Sequence, residues 1–451
     1  MGSEFVPSNQ HYLDRQAGFE SNARSYPRRL PLAIRSARGL VVTDVEGREY
    51  LDCLAGAGTL ALGHNHPVVT AAIRQHLDDG LPLHTLDLIT PTKDAFVREL
   101  FATLPPEFAA RARIQFCGPT GADAIEAAIK LVKTATGRRS ILAFHGGYHG
   151  QTHGTLALMG NIGPKAPISG LMPDVHFLPY PYEYRCPIGG RACSKPCDCS
   201  PLSGYVEHVL ADPESGIPPA AGMVLEVVQG EGGSIPSPDA WLREIRRITR
   251  ERKIPLILDE IQTGWGRTGK MYAFEHAGVI PDVLVLSKAI GGGLPMAVIV
   301  YDKDLDLWGP GAHAGTFRGN VLGMTAGLAT LKYIQDHDLP GHAAKMGDRL
   351  RAHLTETQRR HAFIGDVRGR GLMIGVEIVD PTRPDARGHG PHDGPKARRI
   401  QEECFRRGLI VEVGGRHGSV LRFLPPLIVT PSEVDAIAQR VAEAWSAVAG
   451  K

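Results

Sequence analysis

The sequence predicts an α/β protein: a large domain on a mainly parallel sheet, followed by a smaller α/β domain. Apolar runs of strand length recur between longer segments of helical periodicity, the pattern of strands joined by crossover helices. The runs are apolar at consecutive positions, as strands covered on both faces are. From about Leu328 the units become shorter, which marks the second domain. A chain of 451 residues with 43% hydrophobic content can bury cores of this size. The divisions read from this are an N-terminal segment, 6–70, that packs with the small domain, a large domain, 71–327, and a small C-terminal domain, 328–451.

The elements follow in order. Leu40 to Asp44 and Glu49 to Asp52 form a strand pair joined at Glu46-Gly47. Arg113 to Cys117 is a strand. Ala122 to Thr134 is a helix whose core face carries Ile125, Ala128, Ile129 and Val132. Ser140 to Phe144 and Met223 to Val228 are strands, and Asp239 to Glu251 is a helix. Further strands are Ile254 to Leu258, Val283 to Leu286 and Met296 to Tyr301. In the smaller domain one long helical stretch runs from Leu328 to Arg359. Strands Phe363 to Arg368 and Leu372 to Ile378, a helix Ala397 to Arg407, and strands Leu409 to Val413 and Val420 to Phe423 come next. Ser432 to Val448 is an amphipathic helix. Pro381 to Pro395, rich in Gly, Pro and His, reads as a mobile surface loop.

Composition excludes several classes. The formal charge is +2 and no basic block is present, which argues against nucleic acid or an anionic membrane as partner. No apolar run has bilayer length, and no signal-peptide core is visible. Seven cysteines, an odd number in a long chain, do not form a secreted disulfide framework, so the cytoplasm is expected. Cys186, Cys193, Cys197 and Cys199 share a Gly/Pro-rich stretch. They are candidates for a structural zinc, although their spacing is not a repeated C-x-x-C, and surface thiols are the alternative.

The chemistry centres on Lys288. It lies just beyond an apolar strand and before Gly291-Gly292-Gly293. A lysine at the mouth of a buried strand is either a snorkelling surface group or a desolvated amine. The second is nucleophilic toward carbonyls. Asp259 ends the preceding apolar run. In open α/β sheets ligands sit beyond the carboxyl ends of the strands, where both residues fall. Pyridoxal phosphate needs such a pair: a lysine for its aldehyde and an acid for its pyridine nitrogen. Cys117-Gly118-Pro119-Thr120-Gly121-Ala122 opens a helix whose free N–H groups suit a phosphate. Tyr148, in a glycine loop after a strand, suits stacking on a flat ring. His145, His149 and His153 have metal-like spacing, but the interleaved glycines argue against a helix. Gly264 to Lys270 reads G-x-x-x-x-G-K, the runner-up motif of a nucleotide triphosphatase, yet Met271 stands where Ser or Thr is required.

Three ordered stretches, LILDEIQTGWGRTG, VLVLSKAIGGGLPM and AGTFRGN, carry a resemblance that spans nearly the whole chain. The chain resembles the class III, or ω-type, aminotransferases of the fold type I pyridoxal phosphate family. The stretches ESNARSYPR, CGPTGADAIEAAIKLVK and PYPYEYRCP look most like members that exchange the terminal amine of L-2,4-diaminobutyrate with 2-oxoglutarate. The 4-aminobutyrate and ornithine types and the aminomutases or racemases are the alternatives. The resemblance implies Lys288 as the Schiff-base lysine, Asp259 as the partner of the pyridine nitrogen and Gln262 as the contact to the ring hydroxyl. It also implies Tyr148 as the stacking aromatic and Gly121 and Ala122 as the phosphate turn. Thr316 would reach the phosphate of the other subunit, so a homodimer with shared sites is implied. Arg368 would take the substrate carboxylate, with Glu231 its partner when no carboxylate is offered. Where many relatives carry an arginine after Tyr-His-Gly, this chain has Gln151, and Arg318 is the candidate for the distal carboxylate of 2-oxoglutarate.

Overall fold

The structure is a computed structural model that describes residues 7–188 and 199–449. A seven-stranded sheet forms its centre. In spatial order the strands are Ala112–Phe116, Val298–Asp302, Val283–Leu286, Leu256–Asp259, Ala220–Leu225, Ser140–Phe144 and Val175–Leu178. Only Val298–Asp302 runs against its neighbours, so the sheet is mainly parallel. Alternate residues of the central strands enter different cores. Ile257, Val283 and Val285 pack with helix Gly121–Thr136, whereas Leu256, Leu258, Leu284 and Leu286 share the core of helix Asp239–Glu251. Burial on both faces explains the unbroken apolar runs.

Helix Gly121–Thr136 is well specified. Thr120 caps it by accepting from the Asp123 N–H, and Gly137 ends it at φ +66°. Ala124, Ile125, Ala128, Ile129 and Val132 lie along the face pressed to the sheet.

Beyond the central sheet lies a four-stranded antiparallel sheet, Ile364–Arg370, Met373–Ile378, Val420–Phe423 and Glu412–Gly414. Another contains Ile34–Arg38, Val41–Asp44, Glu49–Asp52 and Leu409–Ile410. There Leu51 faces Leu409 in parallel register, which ties the N-terminal strands to C-terminal chain.

Three expectations change. The stretch read as one helix from Leu328 is two, Val321–Asp336 and Leu339–Gln358, and residue 328 falls inside the first. Asp338, left-handed at φ +43° and followed by Pro340, breaks the path. Leu409 to Val413 divides between two sheets instead of forming one strand. The Pro381 to Pro395 segment is tied down: Val379 bridges to His392, and the Asp385 carboxylate accepts the N–H groups of Arg387 and His389.

Candidate active site

The carboxyl ends of the parallel strands open into a cavity of about 260 Å³. It is lined by Gly121, Ala122, Tyr148, Asp259, Gln262, Lys288 and Glu231 among others, so seven of the predicted residues meet there. Thr316, Arg318 and Arg368 do not line it.

Lys288 follows strand Val283–Leu286 in a one-turn 3₁₀ segment, Lys288–Gly291, with its own φ at +50°. A non-glycine residue rarely holds this conformation, and such strain gathers at functional positions. Gly292 makes the turn possible. A Cβ there would come within 2.6 Å of the Ala326 carbonyl oxygen on the packed helix Val321–Asp336. Burial pushes the Lys288 amine below its usual value, although the charges of Glu231 and Asp259 pull the other way.

Asp259, at the end of the adjacent strand, is almost fully buried. One oxygen accepts from His149 Nδ1 at 2.7 Å and the other from the Ile261 N–H at 3.0 Å. Burial works against a charged His149, but the hydrogen bond and charge of Asp259, with Glu226, outweigh it and raise the imidazole pKa. Glu226 is a further buried acid. It accepts the Tyr148 N–H at 2.9 Å and the Gly230 N–H at 2.7 Å, so it fixes the aromatic loop and the approach to Glu231. Burial raises its pKa to about 7.

The donor set fits pyridoxal phosphate. The N-terminus of Gly121–Thr136 offers N–H groups for a phosphate. Gly150, at φ +125°, lets the Tyr148 loop close on that end, since a Cβ would stand 2.5 Å from Ala122 Cβ. A buried carboxylate, an aromatic and a desolvated amine share the same cavity.

The predicted pairing of Glu231 with Arg368 does not form. Arg368 is held by Asp366 at 2.9 Å, by Glu377 at 2.8 Å and by the Gly233 carbonyl. Glu231 instead accepts from Arg422 Nη1 at 2.6 Å. Burial alone would raise the Glu231 pKa, but Arg422 and Lys288 hold it below the ordinary carboxylate value. Arg422 is fully buried, and its Nη2 donates to Gln262 Oε1 at 2.9 Å. Gln262 also donates to the Ala57 carbonyl, so the N-terminal segment reaches the site.

Arg422 sits inside an antiparallel strand, VLRF, where nothing local distinguishes it from Arg368. His149 and Glu226 were likewise unassigned to the ring, because only the sheet order brings the loops after Ser140–Phe144 and Ala220–Leu225 to the edge where the strand of Asp259 ends. Arg318 donates to Asp87 at 2.7 Å and to the His313 carbonyl. Thr316 is exposed, and its carbonyl accepts from His84.

The phosphate-loop reading of Gly264 to Lys270 is overturned. Trp265 and Arg267 are buried, and Arg267 donates to the Leu372 and Pro425 carbonyls, so the segment is core packing with no open anion cradle. Among the cysteines, Cys186 and Cys199 are buried, whereas Cys193 and Cys197 lie outside the described residues. One set of metal-capable side chains does come together among the described residues, Cys117, Asp123 and His313. His313 already donates to Asp123 there, at 2.9 Å.

The fold and the Lys288–Asp259 cavity define a pyridoxal-phosphate-type transferase, and the chain belongs to the class-III aminotransferase family, which matches residues 22–445. The chain is 58% identical over 444 residues to a diaminobutyrate–2-oxoglutarate aminotransferase of Rhizobium meliloti (strain 1021), covering 98% of this chain and 94% of that one. A Haemophilus influenzae protein of the same name is 51% identical over 438 residues, covering 96% and 95%. Among solved structures, an amine transaminase from an uncultivated Pseudomonas species, in its PLP-bound form, superposes with a TM-score of 0.83 at 29% identity, covering 95% and 98%. An ornithine aminotransferase from Toxoplasma gondii gives 0.80 at 26%, covering 98% and 95%.

Proposed function

We propose that this protein is a pyridoxal-phosphate-dependent aminotransferase that moves the terminal amino group of L-2,4-diaminobutyrate to 2-oxoglutarate. The products are L-aspartate 4-semialdehyde and L-glutamate, and the reverse reaction uses the same groups. The observation that carries the activity is one cavity holding a desolvated lysine, a buried carboxylate and a helix N-terminus. The substrate reading rests on the two relatives above.

The bound cofactor supplies an electron sink that stabilises the carbanion left when a proton is removed beside nitrogen. Lys288 would hold the cofactor through its aldehyde, and its amine is placed in the cavity to take a proton from the substrate carbon and return it. Transfer by a positioned base is worth roughly 10²–10⁴-fold. Asp259, backed by His149, would keep the ring nitrogen protonated. Tyr148 would pack on the ring, Gln262 would meet its hydroxyl, and Gly121 and Ala122 would take the phosphate. Glu231 closes on Arg422 while an ω-amine donor, which has no carboxylate at the reacting end, is bound. With 2-oxoglutarate, Glu231 leaves and Arg422 takes the carboxylate beside the ketone, the role first read for Arg368.

The chain acts as a homodimer in which Thr316 enters the partner's site. Its exposure supports this, as do Leu83, Leu86, Leu88, Ile89 and Phe317, apolar side chains exposed in the same and the neighbouring loop. No helix among the described residues is long and apolar enough to cross a membrane. The cytoplasm is the proposed compartment. A panel of amines supplied with 2-oxoglutarate, with glutamate formation followed, tests the substrate. Diaminobutyrate should lead, and a clear preference for 4-aminobutyrate or ornithine would replace it.

A further inference from the structure

We infer that Glu412 is a positioning residue that stays on Arg422 throughout the cycle and holds down the enzyme's affinity for the acceptor's carboxylate. The inference rests on the reading that Arg422 receives that carboxylate.

Arg422 faces two acids. Besides Glu231, its Nη1 contacts Glu412 at 3.3 Å, and its Nε–H finds no acceptor among the described residues. The two acids are held differently. Glu231 belongs to the loop after strand Ala220–Leu225 and lines the cavity, so an incoming anion can displace it. Glu412 is buried on strand Glu412–Gly414, paired in register with Arg422 itself. Its other oxygen accepts from the Tyr26 hydroxyl at 3.3 Å. It lines no part of the Lys288 cavity.

The consequence is electrostatic. A buried guanidinium stripped of its partner is costly. When Glu231 leaves, Glu412 keeps Arg422 neutralised and aimed, so the exchange need not pass through an uncompensated buried charge. The same carboxylate then stands beside the acceptor's carboxylate and repels it. Acceptor affinity is therefore lower than a free arginine would give, which suits a site that must also release a carboxylate-bearing product, glutamate. Burial and the Glu231 charge lift the Glu412 pKa despite Arg422, which softens the repulsion without removing it.

The test measures the two half-reactions separately on the holoenzyme, by single-turnover absorbance, with diaminobutyrate and then with 2-oxoglutarate. Glu412→Gln keeps the shape and the Tyr26 contact and removes the charge. The apparent dissociation constant for 2-oxoglutarate should fall by roughly five- to tenfold, less than bare like-charge repulsion at this range. The limiting rate constant and the donor's constant should stay within about twofold, as an effect on carboxylate affinity alone requires. Glu412→Asp, which retracts the charge, should fall between. An unchanged or raised constant for 2-oxoglutarate in a folded Glu412→Gln enzyme would overturn the proposal and leave Glu412 as a structural prop. Arg422→Gln separates the underlying reading: it should weaken 2-oxoglutarate far more than diaminobutyrate. Equal losses there would show that Arg422 is not the acceptor's site, whatever Glu412 does.

Discussion

Asp259→Asn alters one buried charge and almost nothing else. The aspartate accepts from His149 Nδ1 at 2.7 Å and from the Ile261 N–H at 3.0 Å. Asparagine has one acceptor oxygen. The Ile261 N–H can only donate, so the oxygen must stay there and the amide NH₂ must face His149. The imidazole then has to accept at Nδ1 and carry its proton on Nε2, an atom with no hydrogen-bond partner among the described residues. The charge that raises the His149 pKa is lost as well. The ring nitrogen thus faces a neutral group. A hydrogen bond to a charged group is worth about 1.5–3 kcal/mol, or roughly 10–150-fold in rate if it matters only in the transition state. Burial favours the upper part of that range. The assay is single-turnover absorbance of bound cofactor with each substrate, with circular dichroism to confirm the fold. The account predicts a cofactor-loaded variant slowed about a hundredfold in both halves. A loaded, folded variant within threefold of the parent would refute the assignment.

Two further outcomes follow from the geometry. Lys288→Met should stabilise the cofactor-free protein at neutral pH, because an ammonium disfavoured by burial is removed. The folded lysine loses its proton below its ordinary value of 10.5, so between those two values the unfolded chain binds more protons and the parent gains stability as pH rises. The variant's advantage in melting temperature should therefore shrink toward pH 10.5, and an advantage that grows with pH would contradict the reading. Arg318→Gln should affect donor and acceptor Michaelis constants equally and cost at most ~1 kcal/mol in stability, since Asp87, its partner, is exposed. A selective rise of about tenfold for 2-oxoglutarate would instead place Arg318 in the partner's active site.

Much of the site was legible in the chain because its parts sit at the ends of apolar runs. Asp259 ends a strand, Lys288, Tyr148 and Gly121 each follow one, and parallel strands deliver such positions to one edge. Glu231 and Gln262 were legible through the motifs around them. What local pattern could not supply was pairing across the fold. Arg422 and Arg368 lie on the two strands that flank Met373–Ile378, both opposite Gly375, so the order of strands in the sheet, which no local pattern gives, decides which one Glu231 meets. Glu412 was invisible for the same reason: it contacts Arg422 only because the two strands pair at that position. The break at Asp338 was missed because apolar periodicity continues through it, while one left-handed residue redirects the chain.

The central claim is that amino transfer runs through Lys288 in this cavity. Lys288→Ala, purified beside the parent and supplied with pyridoxal phosphate, diaminobutyrate and 2-oxoglutarate, tests it most directly. The account predicts that the parent shows the visible absorbance of covalently held cofactor and forms glutamate. The variant should lack that absorbance and form no glutamate above background. Glutamate formation by the folded variant at the parent's rate would contradict the account.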